Sequence, residues 1–131
     1  MTPSRAVFRQ IFHETSKNMD TYDYLPDAEA KYPFCFVEYG TNDDQSNSDL
    51  MGIVAINVHW FGTRNQANQI DASTVKLHDQ LLRINSFLPY HMHMSGWRDR
   101  PMPESPDATG ILHFIAEIQI KIGRASCRER V

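Results

Sequence analysis

Cysteine is nearly missing from this chain of 131 residues, which has two, Cys35 and Cys127. A multi-cysteine zinc knuckle cannot be built from them. Glycine is sparse too, at six residues. No Gly-x-Gly-x-x-Gly, no glycine-rich phosphate loop, no Gly-x-Ser-x-Gly and no His-Glu-x-x-His occurs, so the dinucleotide, P-loop, serine-hydrolase and zinc-protease signatures are all excluded. No stretch approaches the roughly 20 apolar residues that cross a bilayer. The opening "MTPSRAVFRQIF" has no apolar h-region of the signal-peptide kind. A single small intracellular or assembly-borne domain is expected.

What is present changes character at the end. "KIGRASCRERV", residues Lys121 to Val131, has four basic residues and no hydrophobic period. Clustered Lys and Arg usually suggest phosphate binding. This stretch, however, can be encoded by codons that resemble the reverse strand of a widely used sequencing-library adapter, and it is set aside as a translated scar. Residues 1–120 are thus read as one domain and residues 121–131 as a non-native tail that adds no core contact. The whole chain has 13 basic and 16 acidic residues, a net charge of −3; without the tail's four bases and one acid the net charge is −6. An acidic domain of this kind is expected to bind neither nucleic acid specifically nor membrane. With Cys127 set aside, Cys35 has no partner for a disulfide, and its place in "PFCFV" suits a small buried hydrophobe in a reducing compartment.

Periodicity predicts the elements. Thr2 and Pro3 suit the N-cap and first position of a helix in which Val7, Phe8, Ile11 and Phe12 recur on one side and Arg5, Arg9 and Glu14 on the other. "DTYDYLPDAEAKYP" reads as a loop or short extended arm. "YPFCFVEYG" reads as a strand with Phe34 and Phe36 on one face, Cys35 and Val37 on the other, closed by Gly40. After a polar loop from Thr41 to Asp49, "LMGIVAINVHWFG" alternates Val54, Ile56, Val58 and Trp60, facing the core, with Ala55, Asn57, His59 and Phe61. "TRNQ" is a capping box that starts a second helix, with Ile70, Thr74, Leu77, Leu81 and Ile84 on its inner stripe and Val75 and Leu82 flanking it. A shorter strand, "FLPYHMHMSGW", a Pro-rich loop from Arg98 to Thr109 and a half-buried strand, "ILHFIAEIQI", complete the chain. The order predicts an α+β fold: a mostly antiparallel four-stranded sheet with two helices packed on one face.

The other sheet face should carry Asn57, His59, His113, Glu117 and Gln119, too polar for a core, and it is expected to meet another subunit. If His91 and His93 joined His59 and His113 on neighbouring strands, they would form a zinc or iron site in a small metal-dependent enzyme. "HMH" is accounted for equally by ordinary polar/apolar alternation around Met92, and that reading is preferred. Asp43 and Asp44 lie in a stretch too polar to hold them in a productive geometry. Trp97 with Arg98 and Arg100 has the residue types of a single-strand contact, but in an acidic chain ion pairing between subunits is favoured. No catalytic, cofactor-binding or metal residue is assigned.

The ordered segments "DTYDYLPDAEAKYPFCFVEYG", "INVHWFGTRNQANQIDASTVKLHDQLL" and "GILHFIAEIQI" together resemble the small tail-completion, or tail-terminator, proteins of phages with long non-contractile tails. The likeness rests on a Tyr-rich arm leading into "YPF", a long strand ending in an aromatic and a short turn before a helix, and a closing strand after a Pro-rich loop. It implies a virion structural protein, not an enzyme and without cofactor. Such a protein forms a homo-oligomeric ring, commonly a hexamer, that caps the head-proximal end of the tail and meets the major tail tube protein and the head–tail connector. Its place would be the virion, and the host cytoplasm during assembly. The alternatives are the small metal-dependent enzyme and a monomeric binding module.

Overall fold

The computed structural model describes residues 3–27, 31–43, 50–84, 86–87, 90–103 and 110–124. The chain forms α1 (Pro3–Ser16), β1 (Thr21–Tyr22), β2 (Phe34–Asp43), β3 (Leu50–Thr63), α2 (Ala67–Arg83), β4 (Ser86–Phe87), β5 (Tyr90–Pro101) and β6 (Ile111–Arg124), with a 3-10 turn at Arg64–Gln66. It is an α+β fold with one sheet in the order β1-β2-β3-β6-β5-β4. The four expected strands are its long members. Two 2-residue strands extend it to six, and because β1 runs parallel to β2 the sheet is mixed.

The β3–β6 pair forms the centre, antiparallel with Val54 opposite Ile120, Ile56 opposite Ile118 and Val58 opposite Ala116. Side chains alternate across a strand, so these residues share the face on which both helices lie. Val54, Ile56, Val58, Trp60, Ala116, Ile118 and Ile120 are fully buried there. From α1 come Val7 and Ile11, and from α2 Ile70, Leu77 and Leu81, all with no exposed area. One buried polar tie joins the layers, the Trp60 indole N–H donating to Ser73 Oγ at 3.0 Å. It gives the indole the partner that a buried Trp needs. Gly62 leaves room for α2: a Cβ there would be 2.8 Å from Ile70 Cδ1 and 3.1 Å from Gln66 Oε1, so a larger residue would force those side chains to move.

Several expectations need correction. Glu14 does not face solvent: it is 6% exposed, and Lys17 Nζ donates to its carboxylate at 3.1 Å. On α2 the buried polar residue is Ser73, while Thr74 is part-exposed, its hydroxyl donating to the Ile70 carbonyl at 2.8 Å. The capping box is in place, with the Thr63 N–H donating to Gln66 Oε1 at 2.9 Å, but it opens the 3-10 turn, from which α2 continues. Strands outrun their expected ends. β2 continues past Gly40 to Asp43 with a register shift between Tyr39 and Asn42, and β5 runs to Pro101, so parts of both supposed loops are strand. The rest of those loops, 44–49 and 104–109, together with Thr2 and Pro89, lies outside the described residues.

The largest correction concerns the tail. β6 runs to Arg124, and Ile122, opposite Gly52 and Met92, has no exposed area. Lys121 and Ile122 therefore continue the alternation of the domain instead of standing apart from it, and the expectation of no core contact fails at Ile122. Residues 125–131 lie outside the described residues.

Two stability measurements follow. Leu81 is buried and its neighbour Leu82 is 59% exposed, so Leu81→Ala should cost about 2 to 5 kcal/mol while Leu82→Ala stays within about 0.5 kcal/mol. Equal losses in denaturant titrations would mean that the α2 stripe is misplaced. Truncation after Ile120 removes the buried Ile122 and should lower the melting temperature; an unchanged value would return the whole of residues 121–131 to the status of an idle tail.

Candidate functional site

On the sheet face that no helix among the described residues covers, the same register gathers the polar and aromatic side chains. Phe34 stands opposite Phe61 and Phe36 opposite His59 between β2 and β3; Phe61 stands opposite His113 and Asn57 opposite Glu117 between β3 and β6. Their rings stack as a sheet of their own, with centroids 5.1 Å apart for Phe34–Phe61, 4.2 Å for Phe61–His113 and 5.3 Å for Phe36–His59. This stack shields its members even without a helix above it. Phe34 is 4% and Ile115 6% exposed.

Three titratable groups connect across this stack. His59 Nε2 lies 3.0 Å from Glu38 Oε1, and His59 Nδ1 lies 2.8 Å from His113 Nε2. Asn57 Nδ2 also reaches Glu38 Oε1, at 3.5 Å. A carboxylate only accepts, so the Nε2–H of His59 donates to Glu38. In the neutral ring this leaves Nδ1 as an acceptor for the Nε2–H of His113. The chain of bonds has one direction, and it holds His59 by both nitrogens.

The electrostatics follow the geometry. Removal from water, with the charges of His59 and Arg100 nearby, lowers His113 to a pKa of about 4. The hydrogen bond from His59 holds Glu38 below the ordinary carboxylate range, against the opposing effect of burial. At neutral pH Glu38 is thus ionised and His113 uncharged. Farther along the face, Arg98 Nη2 and Nε donate to Glu117 Oε2 at 2.7 and 3.0 Å.

The residues expected on this face are there: Asn57, His59, His113 and Glu117 share it with Gln119. The four-histidine constellation does not form. His93 stands opposite Lys121 on β6 and His91 opposite Gly123, so His93 lies eight residues along the sheet from His113, about 27 Å at ~3.4 Å per residue. Among the described residues no group of three or more His, Cys, Asp or Glu side chains is arranged to hold a metal ion. The Trp97–Arg98–Arg100 group divides between the two faces. Trp97 meets His78 of α2 edge-on at 4.9 Å and donates to Asp99 at 2.6 Å, while Arg98 is taken by Glu117 within the chain. Asp43 ends β2 opposite Ile53, and Asp44 lies outside the described residues.

Glu38 was missed by the sequence reading. Its signal was present in the period of two, which sets it on the face of Phe34 and Phe36, but its partner could be named only once β2 was aligned with β3. No family model and no curated protein matches the chain. No helix among the described residues is long and apolar enough to cross a membrane.

The pH dependence has a definite sign. The folded state binds the His113 proton only near pH 4, whereas the unfolded chain binds it near 6.5, so stability is fully present above 6.5 and falls as pH drops from 6.5 towards 4. Glu38, depressed in the folded state, adds a loss at still lower pH. His113→Gln should flatten the melting-temperature profile between pH 6.5 and 4. A profile unchanged by that substitution would remove His113 as its cause.

Proposed function

We propose that the chain is a structural subunit of the tail-completion kind: it closes into a ring at the head-proximal end of a phage tail tube, between the major tail protein and the head connector. The observation that carries this reading is the helix-free sheet face. Both helices of the subunit lie on the opposite side, so a continuous stack of aromatic and imidazole rings, edged by Glu38 and the Arg98–Glu117 pair, is left for a neighbour. An interface core flanked by charged, hydrogen-bonded residues is what specific protein contacts use.

The metal-enzyme alternative loses its ligand set, because its four histidines lie in two groups. In the ring reading the hydrogen bonds of His59 have a structural use: they fix two imidazoles and a carboxylate in one orientation, so that the face presents one pattern of donors and acceptors. An acidic subunit, with a net charge of −3 over the whole chain, also suits a conduit for DNA, since negative charge on a lumen repels the passing duplex. Six subunits is the number the resemblance implies.

Native mass spectrometry and negative-stain microscopy, on the protein alone and mixed with tail tubes, test the reading. The expected result is closed rings, seated at one end of the tube and stopping its further growth. A chain that stays monomeric in both settings and leaves tube ends bare would overturn it.

A further inference from the structure

The two imidazoles of the uncovered sheet face meet nitrogen to nitrogen. His59 Nδ1 and His113 Nε2 are 2.8 Å apart, and the other nitrogen of His59, Nε2, is 3.0 Å from Glu38 Oε1. The shorter contact has room for one proton, because one nitrogen must donate and the other accept. Nδ1 of His113 stands outside it.

Counting protons fixes what the pair can accept. In the uncharged state His113 donates from Nε2 to His59, and His59 donates from Nε2 to Glu38. A first added proton leaves every contact in place. Held by His59, it lets that ring donate from both nitrogens while His113 keeps its own proton on Nδ1 and accepts through Nε2; held by His113, it goes to Nδ1 and the original direction stands. In both cases one positive charge faces the ionised Glu38. A second proton has no such place. With both rings charged all four nitrogens carry hydrogen, so the 2.8 Å contact would set N–H against N–H and bring two like charges together at a centroid distance of 5.1 Å.

The surroundings decide which ring moves. His59 is held by Glu38 and stacked on Phe36 of β2, and its side chain is 13% exposed. His113 is part-exposed and is held by His59 and by its stack on Phe61, 4.2 Å between centroids. The charged groups facing the pair are Glu38 from β2, Arg98 and Arg100 from β5 and Glu117 from β6, of which Arg98 and Glu117 neutralise each other. Tyr22 and Tyr32 stand farther off, across Phe34 and Phe61. Burial, and then the charges of His59 and Arg100, lower His113 to a pKa of about 4, so the second proton arrives in acid.

We propose that His59 and His113 form a one-proton latch: the pair takes one proton with the face closed, and a second parts the two rings, turning His113 off Phe61 towards solvent and opening the ring stack between β3 and β6. The device lies within one subunit and does not depend on the ring reading. Its opening is local, since the backbone ladder of β3 and β6 and the buried aliphatic pairs on their other face carry no part of the titration. A flat face whose one cation is matched by Glu38 becomes an open face with positive charge in excess, so acid changes both its outline and its sign.

Nitrogen-15 NMR of the histidine side chains in the full chain, titrated from neutral pH through about 4, tests it, with circular dichroism as the control for folding. The pair should bind its protons in two separate steps. The nuclear Overhauser contact between His113 and Phe61 should persist through the first step and vanish in the second. His113→Gln, whose side-chain amide can still donate to His59 Nδ1, should keep its contact with Phe61 through the same range and lose the second step. Glu38→Gln removes the matching charge and should move the first step to lower pH. Two rings that charge together, a His113–Phe61 contact that survives when both are charged, or a His113→Gln chain that opens as the wild type does would each overturn the latch. Unfolding of the whole chain in the second step would overturn it as well, because the loss would then be global.

Discussion

The pairing of β3 with β6 is the constraint from which both faces of the molecule follow. Aliphatic residues stand opposite each other along it, Val54 with Ile120, Ile56 with Ile118 and Val58 with Ala116. Because the side-chain period is two, this register places Asn57, His59, His113 and Glu117 together on the far side. A slip of β6 by one residue would bring His113, Glu117 and Gln119 under the helices and expose the isoleucines. Burial of unpaired polar groups would then penalise the slipped state at several positions at once. Core and candidate site are therefore two results of one alignment.

Much of this was legible in the chain itself, and the reason is visible residue by residue. Val54 to Trp60 and Leu112 to Ile120 alternate with only Ala55 and Ile115 apolar on the outer side, and Ile70, Leu77 and Leu81 keep helical spacing, so element type and inner face could be read directly. Strand ends could not. Thr41 to Asp43 and Arg98 to Pro101 have the composition of turns, yet they remain in strands because β3 and β6 continue alongside and offer backbone partners. Ile122 was misread for a different reason: it continues the period of Ile118 and Ile120, but the resemblance of residues 121–131 to a translated adapter set the whole stretch aside, whereas in the fold it pairs with Gly52 and Met92. Glu38 was hidden because it becomes part of a network through residues on two other strands.

The network also shows how this sheet face tolerates burying polar groups without a helix above it. His59 is nearly buried, its side chain 13% exposed, while Glu38 at its end is 45% exposed. The ionised carboxylate thus sits where water can reach it, while the rings of His59 and His113 lie farther in, stacked on Phe36 and Phe61. Arg98 and Glu117 follow the same rule, neutralising one another at the surface. In the ring we propose, a neighbour on this face would cover the rings and meet a ready-made set of donors and acceptors.

Cys35 lies where the short parallel strand β1 meets β2, opposite Thr21, with its backbone N–H donating to Asp20 O at 2.8 Å and its side chain fully enclosed. Burial pushes its thiol up to about 12, which leaves almost no thiolate at neutral pH. Its sulfur lies 3.6 Å from Met19 Sδ, with Ser73 of α2 and Thr21 of β1 beside it, so reagents that require the thiolate meet neither an ionised sulfur nor an open path to it. Alkylation of this atom therefore reports the parting of α2 and the edge of the sheet, a chemical probe set at the seam of the two layers.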